Sequence, residues 1–458
     1  MSVKVLVPTR VDMRAMVRLA TPIVVVQVGL MAMGTVDTMM VGHVSADALA
    51  AVALGNLFFY LAVGFGMGAL LALDPVIAQA VGAGDEPAVA RGIQRGILLA
   101  AVVAIPTSLF LIPAIPVLTA LQQPAEIIPD AARYVWATIP GIFPFFAFIV
   151  LRQSLQAMGR LAPIVVTIIV ANVANALLNW VLIFGKLGVP AMGAFGAAIA
   201  SSISRWLLAA MMIAIGWRVL RANLVPVRRD AFTVRPLWRM AALGVPIGLQ
   251  HSLEGGAFIV VALFMGWIGT VEMGAHQVAI NLAALTFMVP LGVSGAAAVL
   301  VGQAVGRGDA IEARRAAGAA LLLGVGVMSV SALVLLTIPG VLARVYTTDA
   351  SVIAVASMLI PLAGVFQVFD GLQVVSIGVL RGVGDTRAPM IIAAVGYWLV
   401  GIGAGVWLAF SVGWGGVGIW TGLALGLAIV AVLMLARWVR RDRLGLVSPK
   451  QKGAPAYH

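Results

Sequence analysis

The chain has 458 residues, of which 62% are hydrophobic and 10% are charged, and its mean hydropathy is +1.09. Soluble proteins carry about 25% charged residues, so this composition excludes a protein that faces water on all sides. The net charge is +12, but the basic residues lie in short segments between apolar runs, which argues for membrane topology and lipid contact and against nucleic-acid binding. The sequence lacks cysteine and its four histidines are scattered, so we expect no cofactor and no resident metal.

Twelve apolar runs are long enough to cross a bilayer, since a spanning helix needs about 20 residues. The predicted fold class is therefore all-α, a polytopic membrane protein with twelve transmembrane helices. In chain order the predicted spans are 14–40, 49–78, 93–115, 131–155, 162–184, 193–217, 238–266, 275–304, 315–337, 350–380, 388–411 and 416–438.

The basic residues predict the orientation of the spans. If the N-terminus is cytoplasmic, the cytoplasmic segments carry 25 Lys and Arg and the outer loops carry 3. This asymmetry predicts twelve spans with both termini in the cytoplasm. The remaining base, Arg205, lies within the sixth span, and we expect it to bond a carbonyl or to reach outward to water. We find no pattern of a cleavable signal peptide.

The two halves of the chain repeat each other. Residues 79–85 (QAVGAGD) recur as 303–309 (QAVGRGD), and Pro22 recurs as Pro246 at the same offset. Six spans per half is an even number, so the halves are parallel repeats with the substrate path expected between them. We predict an N-lobe at 1–217, a basic cytoplasmic linker at 218–237, a C-lobe at 238–440 and a cytoplasmic tail at 441–458. The two repeated prolines are the predicted structural hinges.

Polar side chains inside the N-terminal spans mark a candidate cation site. Asp37 is the only charged residue between Arg18 and Asp47, and an acid at membrane depth is costly and usually functional. Asn172, Asn175 and Asn179 share one helical face. These asparagines either form hydrogen bonds between helices or line a cation pocket with oxygen atoms.

The C-terminal half carries two further isolated acids. Glu254 follows a stretch with Pro246, Gln250 and His251, and irregular backbone at membrane depth is tolerated where it lines a cavity. A His251–Glu254 proton relay and a hydrogen-bonded core histidine both fit this spacing. Asp370 stands in an apolar run and shares a helical face with Gln367 and Gln373.

The chain has no phosphate loop, no His-Glu-x-x-His and no Gly-x-Ser-x-Gly, so we expect a transporter and not an enzyme. An aspartyl dyad of Asp37 and Asp370 is the weaker, enzymatic alternative.

Four short motifs resemble the multidrug and toxic compound extrusion (MATE) family, and residues around the two C-terminal acids resemble its NorM-like bacterial branch. The family motifs are 36–42 (VDTMMVG), 79–84 (QAVGAG), 156–159 (QAMG) and 275–279 (AHQVA), with 253–255 (LEG) and 369–373 (FDGLQ) for the branch.

The resemblance implies two six-helix lobes that export cationic amphipathic drugs by alternating access, in exchange for Na+ or H+. It assigns the N-lobe coupling site to Asp37, Asn175 and Asn179, and the C-lobe site to Glu254 and Asp370. The further cavity-lining predictions are Asn172, Gln250, His251, Phe366, Gln367 and Gln373. Some relatives have an acid in place of Asn179 and Tyr in place of Phe366.

The expected partners are cationic small-molecule drugs, the coupling ion and membrane lipids, with no nucleic acid. The expected location is the bacterial inner membrane, and the expected state is a monomer. The alternative from the same architecture is a lipid-linked oligosaccharide flippase. Such a flippase would need a cavity rich in Arg and Lys for a pyrophosphate, whereas acids outnumber the single deeply placed base here.

Overall fold

The computed structural model describes residues 7–441, and within this range the protein contains α-helices, short 3₁₀ and π segments, and no strand. Twelve helical spans are long and apolar enough to cross a membrane, which confirms the predicted number. The α-helices are α1 (Arg10–Gly42), α2 (Ala46–Leu70), α3 (Leu73–Ala83), α4 (Glu86–Leu111), α5 (Ala114–Ala120), α6 (Ile128–Thr138), α7 (Ile142–Ala157), α8 (Ala162–Phe184), α9 (Gly193–Leu224), α10 (Val234–Ile268), α11 (Thr270–Gly306), α12 (Ala310–Thr337), α13 (Pro339–Tyr346), α14 (Ala350–Gly382), α15 (Arg387–Ala393), α16 (Gly403–Val406) and α17 (Gly415–Val439).

Three of the twelve spans are interrupted helices. The second span consists of α2 and α3, and the fourth consists of α6 and α7 with a 3₁₀ turn at Pro140. Pro144 has no N–H to bond the Pro140 carbonyl four residues before it, and Trp206 donates its indole N–H to that carbonyl at 3.1 Å. The eleventh span runs through α15 and α16 and is π-helical at Ala394–Ile402 and Trp407–Ser411. π-helical turns are often found at functional sites.

The chain forms two compact units. Unit 1 comprises residues 7–24, 82–84 and 249–441, and unit 2 comprises residues 25–81 and 85–248. Two of the boundaries lie inside α1 and α10, two residues after Pro22 and Pro246. The units therefore differ from the division predicted at the linker, because each of these long helices contributes to both units. Nearly all of the predicted tail at 441–458 lies outside the described residues.

The sequence repeat corresponds to a repeated turn. Gly84 and Gly308 have φ angles of +70° and +72°, a left-handed conformation that glycine adopts without steric cost. Each is followed by an aspartate that caps the next helix. Asp85 accepts from the Ala88 N–H at 2.9 Å, and Asp309 accepts from the Glu312 N–H at 2.8 Å. The repeat thus fixes the start of α4 in one half and of α12 in the other.

The predicted linker is fastened to α4 within unit 2. Its first residues continue α9 and its last residues begin α10. The Gln94 amide donates to the carbonyls of Asn223 and Pro226 at 2.9 and 3.1 Å, and its carbonyl accepts from the Arg228 N–H at 2.9 Å. Arg95 donates to the Asp230 carbonyl at 2.9 Å. These bonds attach the linker to the end of α4 that begins at Glu86.

In unit 1, small residues let helix backbones approach one another. At Gly422 in α17, an added Cβ would overlap the backbone N and Cα of Gly405 in α16. Close approach of this kind is typical of helix packing in membranes, where lipid supplies no hydrophobic drive for association.

A polar group also joins three helices of unit 1. Gln367 on α14 is fully buried, and it accepts from the Ser331 hydroxyl of α12 at 2.6 Å. Its amide N–H donates to Thr286 Oγ1 of α11. Both functional ends of this side chain are therefore occupied by neighbouring helices. Gln367 was predicted to line a cavity, but its contacts are those of a bond between helices.

The substitution Gly422→Ala is expected to destabilise unit 1 by about 1–3 kcal/mol, because backbone atoms of α16 cannot move aside as a side chain could. The matched control is Gly326→Ala in α12, where an added Cβ meets no atom within 4 Å. The measurement is the midpoint of thermal unfolding in detergent. Equal midpoints for the two variants would contradict this packing.

The substitution Gln367→Leu is expected to cost about 0.6–2 kcal/mol, because it leaves the Ser331 hydroxyl without its acceptor. In a double-mutant cycle with Ser331→Ala, the second substitution should cost less in the Gln367→Leu background than in the wild type. The measurement is unfolding of the four proteins in detergent. Strict additivity would show that the two side chains do not interact.

Candidate ion and substrate sites

Asp37 lies at the centre of a buried polar cluster in unit 2. The side chain is only 5% exposed, so its carboxylate must find partners within the protein. The Ser201 hydroxyl of α9 donates to Oδ2 at 2.7 Å, and the Asn179 amide of α8 donates to Oδ1 at 2.5 Å. Three helices therefore meet at this one acid. No basic side chain forms a salt bridge with it in the part of the chain that the structure describes.

The asparagines of α8 extend this cluster. Asn179 also donates to Asn175 Oδ1 at 3.2 Å, and Asn175 donates to the Ser204 hydroxyl at 3.3 Å. Asn179 Oδ1 is buried and accepts no hydrogen bond from any described residue. An acceptor in that state has lone pairs available for a cation. The structure thus brings together the three predicted N-lobe residues, Asp37, Asn175 and Asn179.

Asn172 does not belong to this cluster. Its amide donates to the carbonyls of Gly29 in α1 and Ile168 in α8 at 3.0 and 2.9 Å. Both partners are backbone carbonyls, and the bond to Gly29 joins α8 to α1. Of the three asparagines on one face, two serve the cluster around Asp37 and one serves packing.

Glu254 is the centre of the second cluster, in unit 1. Its Oε1 accepts from the Tyr397 hydroxyl at 3.1 Å and from the Gln373 amide at 3.5 Å. The Tyr397 hydroxyl also lies 2.8 Å from Gln373 Oε1. Tyr397 is fully buried in the π-helical part of the eleventh span, where the irregular backbone orients its ring. The result is a closed triangle of acid, phenol and amide.

Asp370 on α14 completes the set of acids in unit 1. It is 5% exposed, and its charge interacts with that of Glu254. Among the described residues it accepts no hydrogen bond. Two neighbouring carboxylates repel each other when both are ionised, and a bound cation or a proton on one of them relieves this repulsion.

The remaining predicted cavity residues have separate environments. Gln250 is buried on α10, one turn before Glu254. His251 is exposed and makes no hydrogen bond with Glu254 among the described residues. Phe366 is 1% exposed and packs edge-to-face on Phe258 and Trp420, so it belongs to the core of unit 1.

Asp74 and Arg205 are further charged residues inside the spans of unit 2. Asp74, fully buried in α3, accepts from the Gln153 amide at 2.7 Å. The Arg205 guanidinium lies over the Phe59 ring, 4.0 Å from its centroid, and its buried Nη1 has no hydrogen-bond partner among the described residues. Arg205 was expected to bond a carbonyl or to reach water, but the contact that the structure gives its guanidinium is an aromatic ring.

Sequence reasoning missed Ser201, Ser204 and Tyr397. The polar run 201–205 (SSISR) inside the sixth span was a usable signal, since hydroxyls at membrane depth tend to bond across helices. Tyr397 is one of only five tyrosines and lies inside an apolar span. Neither signal, however, indicates which acid the hydroxyl reaches.

The oxygen atoms of the two clusters suit a hard cation or a proton. The cluster around Asp37 offers carboxylate, amide and hydroxyl oxygens, and the cluster around Glu254 offers carboxylate, phenol and amide oxygens. Among residues 7–441 no group of three or more His, Cys, Asp or Glu side chains is placed to hold a metal ion. Neutral oxygens would therefore have to complete any cation site.

The family model MatE matches residues 22–181 and 246–407, one match in each half of the chain. The chain is 39% identical over 446 residues to a probable multidrug resistance protein NorM from Mesorhizobium japonicum, covering 95% of both proteins. It is 35% identical over 445 residues to the multidrug resistance protein NorM from Burkholderia vietnamiensis, covering 94% of this chain and 95% of that protein.

Solved MATE transporters share the fold. The crystal structure of the eukaryotic MATE transporter AtDTX14 superposes with a TM-score of 0.86 at 22% identity, covering 95% of this chain and 99% of that one. The bent form of the Vibrio cholerae MATE transporter VcmN gives a TM-score of 0.83 at 18% identity, covering 95% and 99%. The relatives, the family model and the shared fold agree, and this chain belongs to the MATE family of membrane transporters.

Proposed function

We propose that the protein is a multidrug exporter that exchanges cationic amphipathic drugs for inward Na+ or H+. The observation that carries this proposal is the way two acids inside the membrane spans are held. Asp37 is bonded by a serine and an asparagine, and Glu254 by a tyrosine and a glutamine. Carboxylates that are bonded by neutral groups and form no salt bridge can exchange one mobile cation for another. The names of the NorM relatives support drugs as the cargo.

The coupling follows from competition for these carboxylates. A coupling ion or the ammonium group of a drug gains favourable electrostatic energy when it binds to a carboxylate in a medium of low dielectric. The ion and the drug cannot bind to the same carboxylate at once. Ion entry from outside then displaces the drug, and drug entry from inside displaces the ion. We assign the N-lobe role to Asp37, Asn175 and Asn179 and the C-lobe role to Glu254 and Asp370.

Alternating access would come from rocking of the N-lobe at 1–217 and the C-lobe at 238–440. Since Gln94 fastens the linker to α4, we place the flexible points at Pro22 and Pro246, inside α1 and α10. A proline inside a helix removes one backbone hydrogen bond and weakens the helix there. The protein would act as a monomer in the bacterial inner membrane, with both termini in the cytoplasm.

The first test is efflux of ethidium from loaded proteoliposomes under an imposed Na+ gradient and, separately, an imposed pH gradient. Efflux driven by either gradient supports the proposal and identifies the coupling ion. Efflux driven by neither would contradict it and would favour a lipid-linked oligosaccharide flippase.

Asp37→Asn, Glu254→Gln and Asp370→Asn are each expected to lower gradient-driven efflux at least tenfold, because each removes a charge with little change in volume. The control is Asp130→Asn, an exposed acid paired with Arg133 at 3.6 Å. Wild-type efflux with unchanged ion dependence in Asp370→Asn and Glu254→Gln would overturn the C-lobe assignment.

Tyr397→Phe is expected to raise the coupling-ion concentration at half-maximal efflux by up to about tenfold, since it removes one oxygen ligand and one hydrogen bond from Glu254. Tyr346→Phe, at an exposed tyrosine of α13, is the matched control. A Tyr397→Phe protein with lower expression but unchanged ion dependence would indicate a purely structural hydroxyl.

A further inference from the structure

The cluster around Asp37 has a positive charge beside it that the coupling scheme does not use. Arg205 lies on α9 one turn after Ser201, which donates to Asp37, and directly after Ser204, which accepts from Asn175. Residues four apart on a helix lie about 5–6 Å from one another at Cβ. The base therefore lies beside the very cluster that holds the acid.

The guanidinium is held in place by apolar and aromatic groups. Its central carbon is 4.0 Å from the centroid of Phe59 and 5.7 Å from that of Phe145. A Cβ added at Gly141 would lie 3.0 Å from Arg205 Cδ, so the stem fits against backbone. Stacking on rings fixes the position of the cation without neutralising it.

No carboxylate of the described residues neutralises this cation by contact. Arg205 makes no salt bridge within 4.0 Å in the described part of the chain, and its buried Nη1 has no acceptor there. The titratable groups that surround it are Tyr134 of α6, Tyr60 of α2 and Asp37 of α1. Asp37 is the only carboxylic acid among these three groups, and the two tyrosines are neutral phenols at neutral pH.

We propose that Arg205 is a fixed counter-cation that weakens the binding of the coupling cation at Asp37 and disfavours divalent cations there. This inference rests on the proposed role of Asp37 in cation coupling. A cation that enters the cluster is attracted by Asp37 and repelled by Arg205, and the repulsion doubles for a divalent ion. When the cation leaves, Arg205 still partly balances the buried carboxylate, so the empty state is less costly.

The decisive measurement is equilibrium binding of radioactive Na+ to purified protein, with the signal of an Asp37→Asn protein subtracted to isolate this cluster. Arg205→Gln is expected to lower the Na+ dissociation constant about tenfold, because the repelling charge is lost. Arg205→Lys keeps a cation over Phe59 and should retain a value near that of the wild type. The matched control is Arg133→Gln, which removes an exposed arginine from the same unit.

Competition with Ca2+ tests the charge argument independently. Ca2+ should displace Na+ poorly from the wild type and at least tenfold better from Arg205→Gln. The folded fraction of each variant is monitored by its thermal unfolding midpoint. If Arg205→Gln does not fold, Arg205→Met preserves the apolar stem over Phe59 and has the same expected outcome.

Na+ binding that depends on Asp37 but has the same dissociation constant in wild type, Arg205→Gln and Arg205→Lys would overturn the role of Arg205 and leave the proposed function intact. Equal tightening in Arg205→Lys and Arg205→Gln would also overturn it, since the charge would then not be the cause. Absence of Asp37-dependent Na+ binding from both wild type and Arg205→Gln would overturn this inference together with an N-lobe Na+ site.

Discussion

A carboxylate buried among apolar helices must obtain its partners from the protein, because the hydrocarbon around it offers none. This constraint explains why α1, α8 and α9 meet at Asp37, where Ser201 and Asn179 donate to the two carboxylate oxygens. The same constraint explains the triangle of Glu254, Gln373 and Tyr397 in the other half. The acids are thus both the costliest residues of the chain and the ones around which its polar contacts are arranged.

The two clusters satisfy this constraint in different ways. Around Asp37, amides and hydroxyls form a chain that ends at an unfilled acceptor, Asn179 Oδ1, with Arg205 as a nearby fixed charge. In the other cluster the Tyr397 hydroxyl donates to Glu254, and Asp370 accepts no hydrogen bond among the described residues. A repeated architecture therefore holds two unlike sites. In the first, the role that we propose for Arg205 is to balance part of the carboxylate's charge, whereas in the second the carboxylates depend on the ion that binds.

Outside the two clusters, some elements are held by polar contacts, and two long helices contain an internal proline. Repeated Gly-Asp turns fix the start of α4 and α12, and Gln94 attaches the linker to α4. Gln367 joins three helices of unit 1. Against these fastened elements stand the long helices α1 and α10, each with an internal proline near a boundary between units. These two prolines are the flexible points in the mechanism that we propose.

The sequence by itself determined the twelve spans, the parallel repeat and the identity of the isolated acids. These follow from hydropathy, loop charge and the rarity of acids in apolar runs, which are local properties. Only the tertiary structure decided which polar groups meet. It paired Ser201 with Asp37 across α9 and α1, brought Tyr397 to Glu254, and assigned Asn172 and Gln367 to packing. Helical periodicity tells which residues share a face but not which helix that face meets, and for this reason the partners of each acid could not be predicted from the chain alone.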